Sequence, residues 1–260
     1  TAGQVNFDGT DLSTLSGEQL RLLRRRMQVI FQDPMASLNP RMSLGDSVSH
    51  GLRIHFPGKP SSEYLDATYA IMEKVGLTPP KFFYSKFPHQ ISGGQRQRVV
   101  IARALITRPD LVLADEPIAM ADVSVRALLL DLMIQLKNEF NLTYLFITHD
   151  LATAKYICDR SGILYLGRMA ELGDLREVYA HPLHPYTQAL MAAVPVPNPH
   201  ERRTVPMPEG EIPNPINPPS GCRFHPRCIM AQEQCSQAEP ELRELRSGHW
   251  AACHFAEKFL

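Results

Sequence analysis

The sequence has no excess of either charge: Lys and Arg number 27, Asp and Glu also 27, and the formal net charge is zero. A basic surface of the kind that binds nucleic acid is therefore not expected, although local patches stay open. Long apolar runs are missing too. No stretch approaches the ~20 residues that a membrane-spanning helix needs. The opening Thr1-Ala2-Gly3-Gln4 is neither a methionine start nor a signal peptide. Any role at a membrane is expected to run through a partner. Cysteine is scarce, with five in 260 residues, and four of them fall from Cys222 onward. In a cytosolic chain, clustering of that kind points to a metal or cluster more than to disulfides. What the chain does have is apolar residues, 44% of the total, enough to bury one large core with a small annex. There is no internal repeat.

The pattern along the chain predicts an α/β fold. Short β-type runs occupy 4–7 and 27–31, with an arginine-rich helical segment at 18–26 between them. Residues 43–107 read mostly as helices interrupted by Pro57, Pro60, Pro79-Pro80 and Pro88. Leu111-Val112-Leu113-Ala114 and Tyr144-Leu145-Phe146-Ile147 are wholly apolar, as strands buried in a parallel sheet are. A helix at about 123–139 lies between them, and another begins near 151. This alternation is the signature of crossover connections. Residues 161–172 suit a strand pair around Gly167, and the proline-rich stretch 195–219 an extended linker. Cys158 falls on a predicted helix among apolar neighbours and is expected in the core.

Several residues carry chemistry. Asp115 and Glu116 end an apolar strand, where open α/β sheets bind ligands. An Asp there can hold Mg²⁺ and the next acid can orient a water. Alone, the pair equally suits a solvated acidic turn. Ser92-Gly93-Gly94-Gln95 precedes a helical run. The Ser can cap it and the glycines can turn backbone N–H groups toward an anion. An ordinary glycine-rich cap looks the same. His149 follows the strand at 144–148, and Gln32 ends the strand at 27–31. Each could contact a phosphate, Mg²⁺ or water, and neither stands out by itself.

The order and spacing of Gln32, Ser92 to Gln95, Asp115-Glu116, Asp122 and His149 resemble the ABC ATPase family across residues 1–175. The resemblance implies a P-loop NTPase fold of the ABC nucleotide-binding type at 1–180, with a helical subdomain at about 43–107. It also implies roles. Gln32 matches the Q-loop, which senses the γ-phosphate and faces the transporter. Ile91-Ser92-Gly93-Gly94-Gln95 matches the signature that binds the ATP of the opposite subunit. Asp115 matches the Walker B acid, Glu116 the catalytic carboxylate, Asp122 the D-loop aspartate and His149 the switch histidine. ATP and Mg²⁺ follow as expected ligands, with Asp115 and Gln32 on the metal. Two departures stand out. The D-loop reads Ala119-Met120-Ala121-Asp122 instead of Ser-Ala-Leu-Asp. No Gly-x-x-x-x-Gly-Lys-Ser/Thr occurs, so the chain is expected to begin just after that segment and to be inactive as given. A natively defective subunit, working as a non-catalytic partner, is the alternative.

Gln32-Asp33-Pro34-Met35-Ala36-Ser37-Leu38-Asn39-Pro40, Phe87-Pro88-His89-Gln90 and His181-Pro182-Leu183-His184-Pro185-Tyr186 resemble the oligopeptide and dipeptide importer branch. Nickel importers share these features, and peptide is favoured over nickel. The implied partners are a second ABC ATPase subunit, identical or related, and membrane permeases. An extracytoplasmic binding protein acts indirectly, and no nucleic acid is involved. The expected location is peripheral, on the cytoplasmic face of the inner membrane. A soluble ABC ATPase of DNA repair or translation is disfavoured, because no coiled-coil insertion or second ATPase half is visible.

The C-terminal extension, 181–260, carries its cysteines at about 220–256. Cys222, Cys228, Cys235 and Cys253 are spaced C-x5-C-x6-C-x17-C, wider than the usual zinc pairings. Thiolates spread over loops suit a [4Fe-4S] cluster, and the resembling branch has a similar tail. A zinc site using His225, His249 or His254, and four plain reduced thiols, remain the alternatives.

Overall fold

A computed structural model describes residues 3–194 and 208–260, and packing divides the chain into two units, 1–149 and 150–260. In the first unit a two-residue pair, β1 (Asn6–Phe7) and β2 (Thr10–Asp11), precedes a parallel sheet of β3 (Met27–Ile30), β4 (Leu111–Asp115) and β5 (Thr143–Ile147). The order is β3-β4-β5, with Ile30, Ala114 and Phe146 side by side. The arginine-rich segment is the helix Gly17–Arg26. Arg26 at its end pairs with Asp110 and Asp8, tying the start of β4 to the β1–β2 turn.

Residues 43–107 form the helices Leu44–His55, Ser61–Lys74, Pro80–Tyr84 and Gly93–Leu105. Their starts have local causes. Ser43 caps the first through Asp46 N, and proline occupies the first turn of the third, where no N–H is needed. The helices Leu44–His55 and Gly93–Leu105 pack together. They bury Leu44, Val48, Val99, Val100, Ile101 and Leu105, all at 0% exposure. Gly45 is required here, because a Cβ would sit 2.3 Å from the Tyr84 ring. The helix Val123–Phe140 ends on Asn141 in the left-handed conformation, φ 53°, which asparagine tolerates.

The second unit begins with the helix Leu151–Ile157 and is built on an antiparallel sheet of β6 (Arg160–Tyr165), β7 (Arg168–Asp174), β8 (Arg243–Arg246) and β9 (His249–Ala251). Its order is β6-β7-β9-β8. Strand β9 therefore joins the cysteine-bearing end of the chain to the β6–β7 hairpin. Packing for this reason places a boundary at 149/150, whereas the motifs suggest one at 180/181. Two further differences from the sequence reading are local. The strand expected at 4–7 is confined to Asn6–Phe7. Cys158 stands after the last turn of its helix and is partly exposed, not in the core, because the helix stops at Ile157. The expected linker 195–219 lies partly outside the described residues, and 208–219 forms no helix or strand.

A buried carboxylate holds this unit together. Glu171 on β7 is 0% exposed and accepts hydrogen bonds from Leu183 N at 2.8 Å and His184 N at 2.9 Å. It also contacts His249 Nε2 of β9 at 2.7 Å. The His181–Tyr186 turn and the C-terminal strand are thus fastened to the same side chain. His184 itself is buried, which drives its pKa down to about 4 and keeps the ring neutral. Its Nδ1 accepts from Tyr186 N and caps the helix Pro185–Ala193. Removing Glu171 orphans two N–H groups and an imidazole at once. Glu171→Ala should therefore cost about 3–5 kcal/mol in denaturant unfolding of the 150–260 region. A loss below about 1 kcal/mol would show that the carboxylate is not the fastening.

Candidate functional site

The parallel register delivers three polar side chains to one end of the first sheet. Gln32 lies two residues beyond Ile30, Glu116 two beyond Ala114 and His149 three beyond Phe146, and those three strand residues are aligned. Glu116 receives both neighbours. Gln32 Nε2 donates to Glu116 Oε2 at 3.2 Å, and His149 Nδ1 meets Glu116 Oε1 at 2.9 Å. The Glu116 side chain is 22% exposed and that of His149 76%, so the carboxylate is sheltered under an open imidazole. With Nδ1 engaged, His149 keeps Nε2 for a ligand, and Gln32 keeps its carbonyl oxygen. Asp115, the last residue of β4, sits beside this group opposite Ile147.

The Glu116 backbone is unusual. Its φ is 43°, a left-handed conformation that non-glycine residues rarely adopt and that clusters at functional sites. It is held by Glu116 N donating to Ile147 O at 2.9 Å. Beyond it, Ala119 N donates to Glu116 O and Ala121 N to Ile118 O, each at 3.1 Å. Asp122 then opens the helix Val123–Phe140 without a side-chain capping bond. Sequence reasoning did not single out Arg126, whose guanidinium donates to Ala121 O at 2.9 Å and Ala119 O at 3.3 Å. The available signal was a cation at the opening of a helix, where the dipole disfavours one.

Ser92, Gly93, Gly94 and Gln95 form the start of the helix Gly93–Leu105, with Ser92 and Gly93 exposed and Gly94 and Gln95 partly buried. Ser92 Oγ accepts from Gln95 N at 3.3 Å and Gln95 Oε1 from Ser92 N at 3.0 Å, a reciprocal capping box. Gly94 lies against Val125, where an added Cβ would be 3.1 Å from Cγ1. This turn stands apart from the Gln32–Glu116–His149 group, with no hydrogen bond joining the two among the described residues.

In the second unit Cys222, Cys228, Cys235 and Cys253 line one cavity with His184, His225 and His254. Distant stretches meet there because Cys222 N donates to Cys235 O at 2.8 Å. Gly221 makes the approach possible, since its φ is 64° and a Cβ would lie 2.4 Å from Cys235 O. Burial raises the pKa of Cys222, Cys228 and Cys253, the last to about 11. Neighbouring cysteines push the Cys253 thiol the same way. None of the five cysteines is in a disulfide. Among the described residues no three His, Cys, Asp or Glu side chains are grouped to hold a metal ion. His249, a zinc candidate by sequence, is instead committed to Glu171.

Among the described residues no helix is long and apolar enough to cross a membrane. The family described as "ABC transporter" matches residues 1–119, and "Oligopeptide/dipeptide transporter, C-terminal region" matches 170–235. The oligopeptide transport ATP-binding protein AppF of Bacillus subtilis is 46% identical over 260 residues, covering 98% of this chain and 77% of its own. Its counterpart OppF of Salmonella typhimurium is 47% identical over 244 residues, covering 93% and 72%. Among solved structures, an ATP-binding cassette described as a post-hydrolysis dimer with ADP and Pi matches with a TM-score of 0.60. It is 29% identical, and the match covers 68% of this chain and 75% of that one. CbiO1 of Clostridium perfringens, described as part of an ABC transporter complex, gives 0.61 at 27% identity, covering 69% of each chain. With the sheet, the residues at its end and these relatives in agreement, the chain belongs to the ABC transporter ATP-binding family, in the group that carries the oligopeptide/dipeptide transporter C-terminal region.

Proposed function

We propose that this chain is the ATP-hydrolysing subunit of an importer of di- or oligopeptides. The observation that carries the reading is the convergence of Gln32 and His149 on the carboxylate of Glu116. A carboxylate held by two donors on a rigid strand end can orient a water for attack on a γ-phosphate. In that step a P–O bond forms from the water, the bond to the departing ADP oxygen breaks, and Glu116 takes up the proton. His149 Nε2 reaches toward the transferring group. Asp115 and the free carbonyl of Gln32 offer the hard oxygen donors that suit Mg²⁺, which binds through one or two protein oxygens plus substrate phosphates. When bound, Mg²⁺ offsets the negative charge of the phosphates. Ser92 to Gln95 and Asp122 would face the nucleotide of a second subunit, the first group at a helix start of the kind that suits phosphate.

A second ATPase subunit and membrane permeases are the partners that this reading requires. They place the chain at the cytoplasmic face of the inner membrane. The names of the relatives support peptides as cargo, and cargo is selected elsewhere in the assembly. Cys222, Cys228, Cys235 and Cys253 would hold a [4Fe-4S] cluster. Four soft thiols around one cavity fit that group as a donor set. The cluster would brace a part of the chain that is short of regular structure, apart from the chemistry of ATP.

Three outcomes test these assignments. In the full-length protein, Glu116→Gln should retain ATP binding while turnover falls by at least about a hundredfold. Near-normal turnover would remove Glu116 from the role. Protein purified without oxygen should be brown with about four irons per chain, and Cys228→Ser should bleach it and leave nucleotide binding intact. Colourless protein with one tight zinc would overturn the cluster. Deleting the gene should impair uptake of short peptides, and a loss of nickel accumulation alone would reassign the cargo.

A further inference from the structure

The turn from Glu116 to Asp122 poses a physical problem. It starts at a residue in a disfavoured conformation, φ 43°, and such a conformation persists only where its surroundings over-determine it. On the strand side Glu116 is secured by its N–H bond to Ile147 O. Pro117 and Ile118 follow and are buried, which anchors the first half of the turn. The second half has little of its own to hold it. Ala119 and Ala121 have no side chain beyond Cβ, and Met120 is 62% exposed. The two turn hydrogen bonds, Ala119 N to Glu116 O and Ala121 N to Ile118 O, leave the carbonyls of Ala119 and Ala121 pointing on toward the helix.

Both of those carbonyls are taken by one half-buried side chain. Arg126 Nε donates to Ala121 O and Arg126 Nη2 to Ala119 O. Two acceptors two residues apart match the fixed fork of a guanidinium, and a lysine ammonium lacks that planar geometry. The cation sits in the opening turns of the helix Val123–Phe140, where the helix dipole works against it. Its retention there is accounted for by the carbonyls it grips. Through the bond from Ala119 N to Glu116 O, the grip reaches the peptide unit of Glu116 itself.

We propose that Arg126 is a positioning residue for ATP hydrolysis: it clamps the Ala119–Ala121 turn and so keeps Glu116 in the conformation that presents its carboxylate to Gln32 and His149. The proposal rests on the reading of Glu116 as the residue that orients water. Arg126 does not touch the carboxylate; it acts through the turn. Small residues at 119 and 121 leave the guanidinium room to lie along the backbone and also make it necessary.

The experiment compares Arg126→Ala, Arg126→Lys and Glu116→Gln in the full-length protein, measuring ATP turnover and amide hydrogen exchange. Arg126→Ala should lower kcat by between about fivefold and a hundredfold, with KM for ATP within about twofold. Exchange at Ala119 and Ala121 should quicken at least about tenfold while the helix Val123–Phe140 stays protected. Arg126→Lys, which restores the charge without the fork, should recover only part of kcat. Unchanged kcat in Arg126→Ala, with Glu116→Gln inactive, would overturn the clamp and leave the role of Glu116 standing. Loss of protection along the whole helix would also overturn it, since Arg126 would then be a general structural residue. Full turnover in Glu116→Gln would instead sink the underlying reading, whatever Arg126 does.

Discussion

Parallel pairing of three short strands is the constraint on which the site depends. A parallel ladder fixes which residues lie side by side, and the side-chain period of two leaves no freedom to slip by one without reversing every face. Aligning Ile30, Ala114 and Phe146 therefore decides where Gln32, Glu116 and His149 emerge. These residues lie 84 and 33 positions from Glu116 along the chain. Only the ladder makes them neighbours. The apolar strands are thus part of the chemistry, because they hold the donors within hydrogen-bond distance of one carboxylate.

The second unit shows the same economy with a different device. Its sheet is antiparallel and its extension has little regular structure, so a buried carboxylate does the joining. Glu171 gathers the His181–Tyr186 turn and β9 onto β7. The cysteine cavity adjoins that arrangement, since His184, whose N–H Glu171 accepts, also lines it. Burial drives His184 to the neutral form and raises the thiols. Both effects have one cause, the cost of charge in an environment shielded from water.

Much of the architecture was legible in the chain. Short apolar runs read as buried strands, and β3, β4 and β5 lie within a residue of their expected limits, but the burial expected of 144–147 is not met, since Leu145 and Ile147 on β5 are 53% and 49% exposed. The Ser92–Gln95 cap was legible for a local reason, because a capping box is made within four consecutive residues. Glu171 was not legible. An isolated Glu in an alternating strand reads as solvent-facing, and its partners lie 12, 13 and 78 residues away. Arg126 was missed because its value depends on the two alanine carbonyls before it, and backbone carbonyls leave no mark in a sequence.

By itself the sequence determined the residue types, the strand and helix periods, and the local caps, since these depend on neighbours within a turn or a strand. It determined as well that four cysteines fall in one short extension. The tertiary structure alone decided that Gln32 and His149 meet Glu116 on opposite oxygens, and that Glu116 takes a left-handed backbone. It alone decided that Glu171 is buried and that the cysteines share a cavity. The physical reason is common to all four. Each depends on contacts between segments separated along the chain, and no local stretch of sequence contains both partners of such a contact.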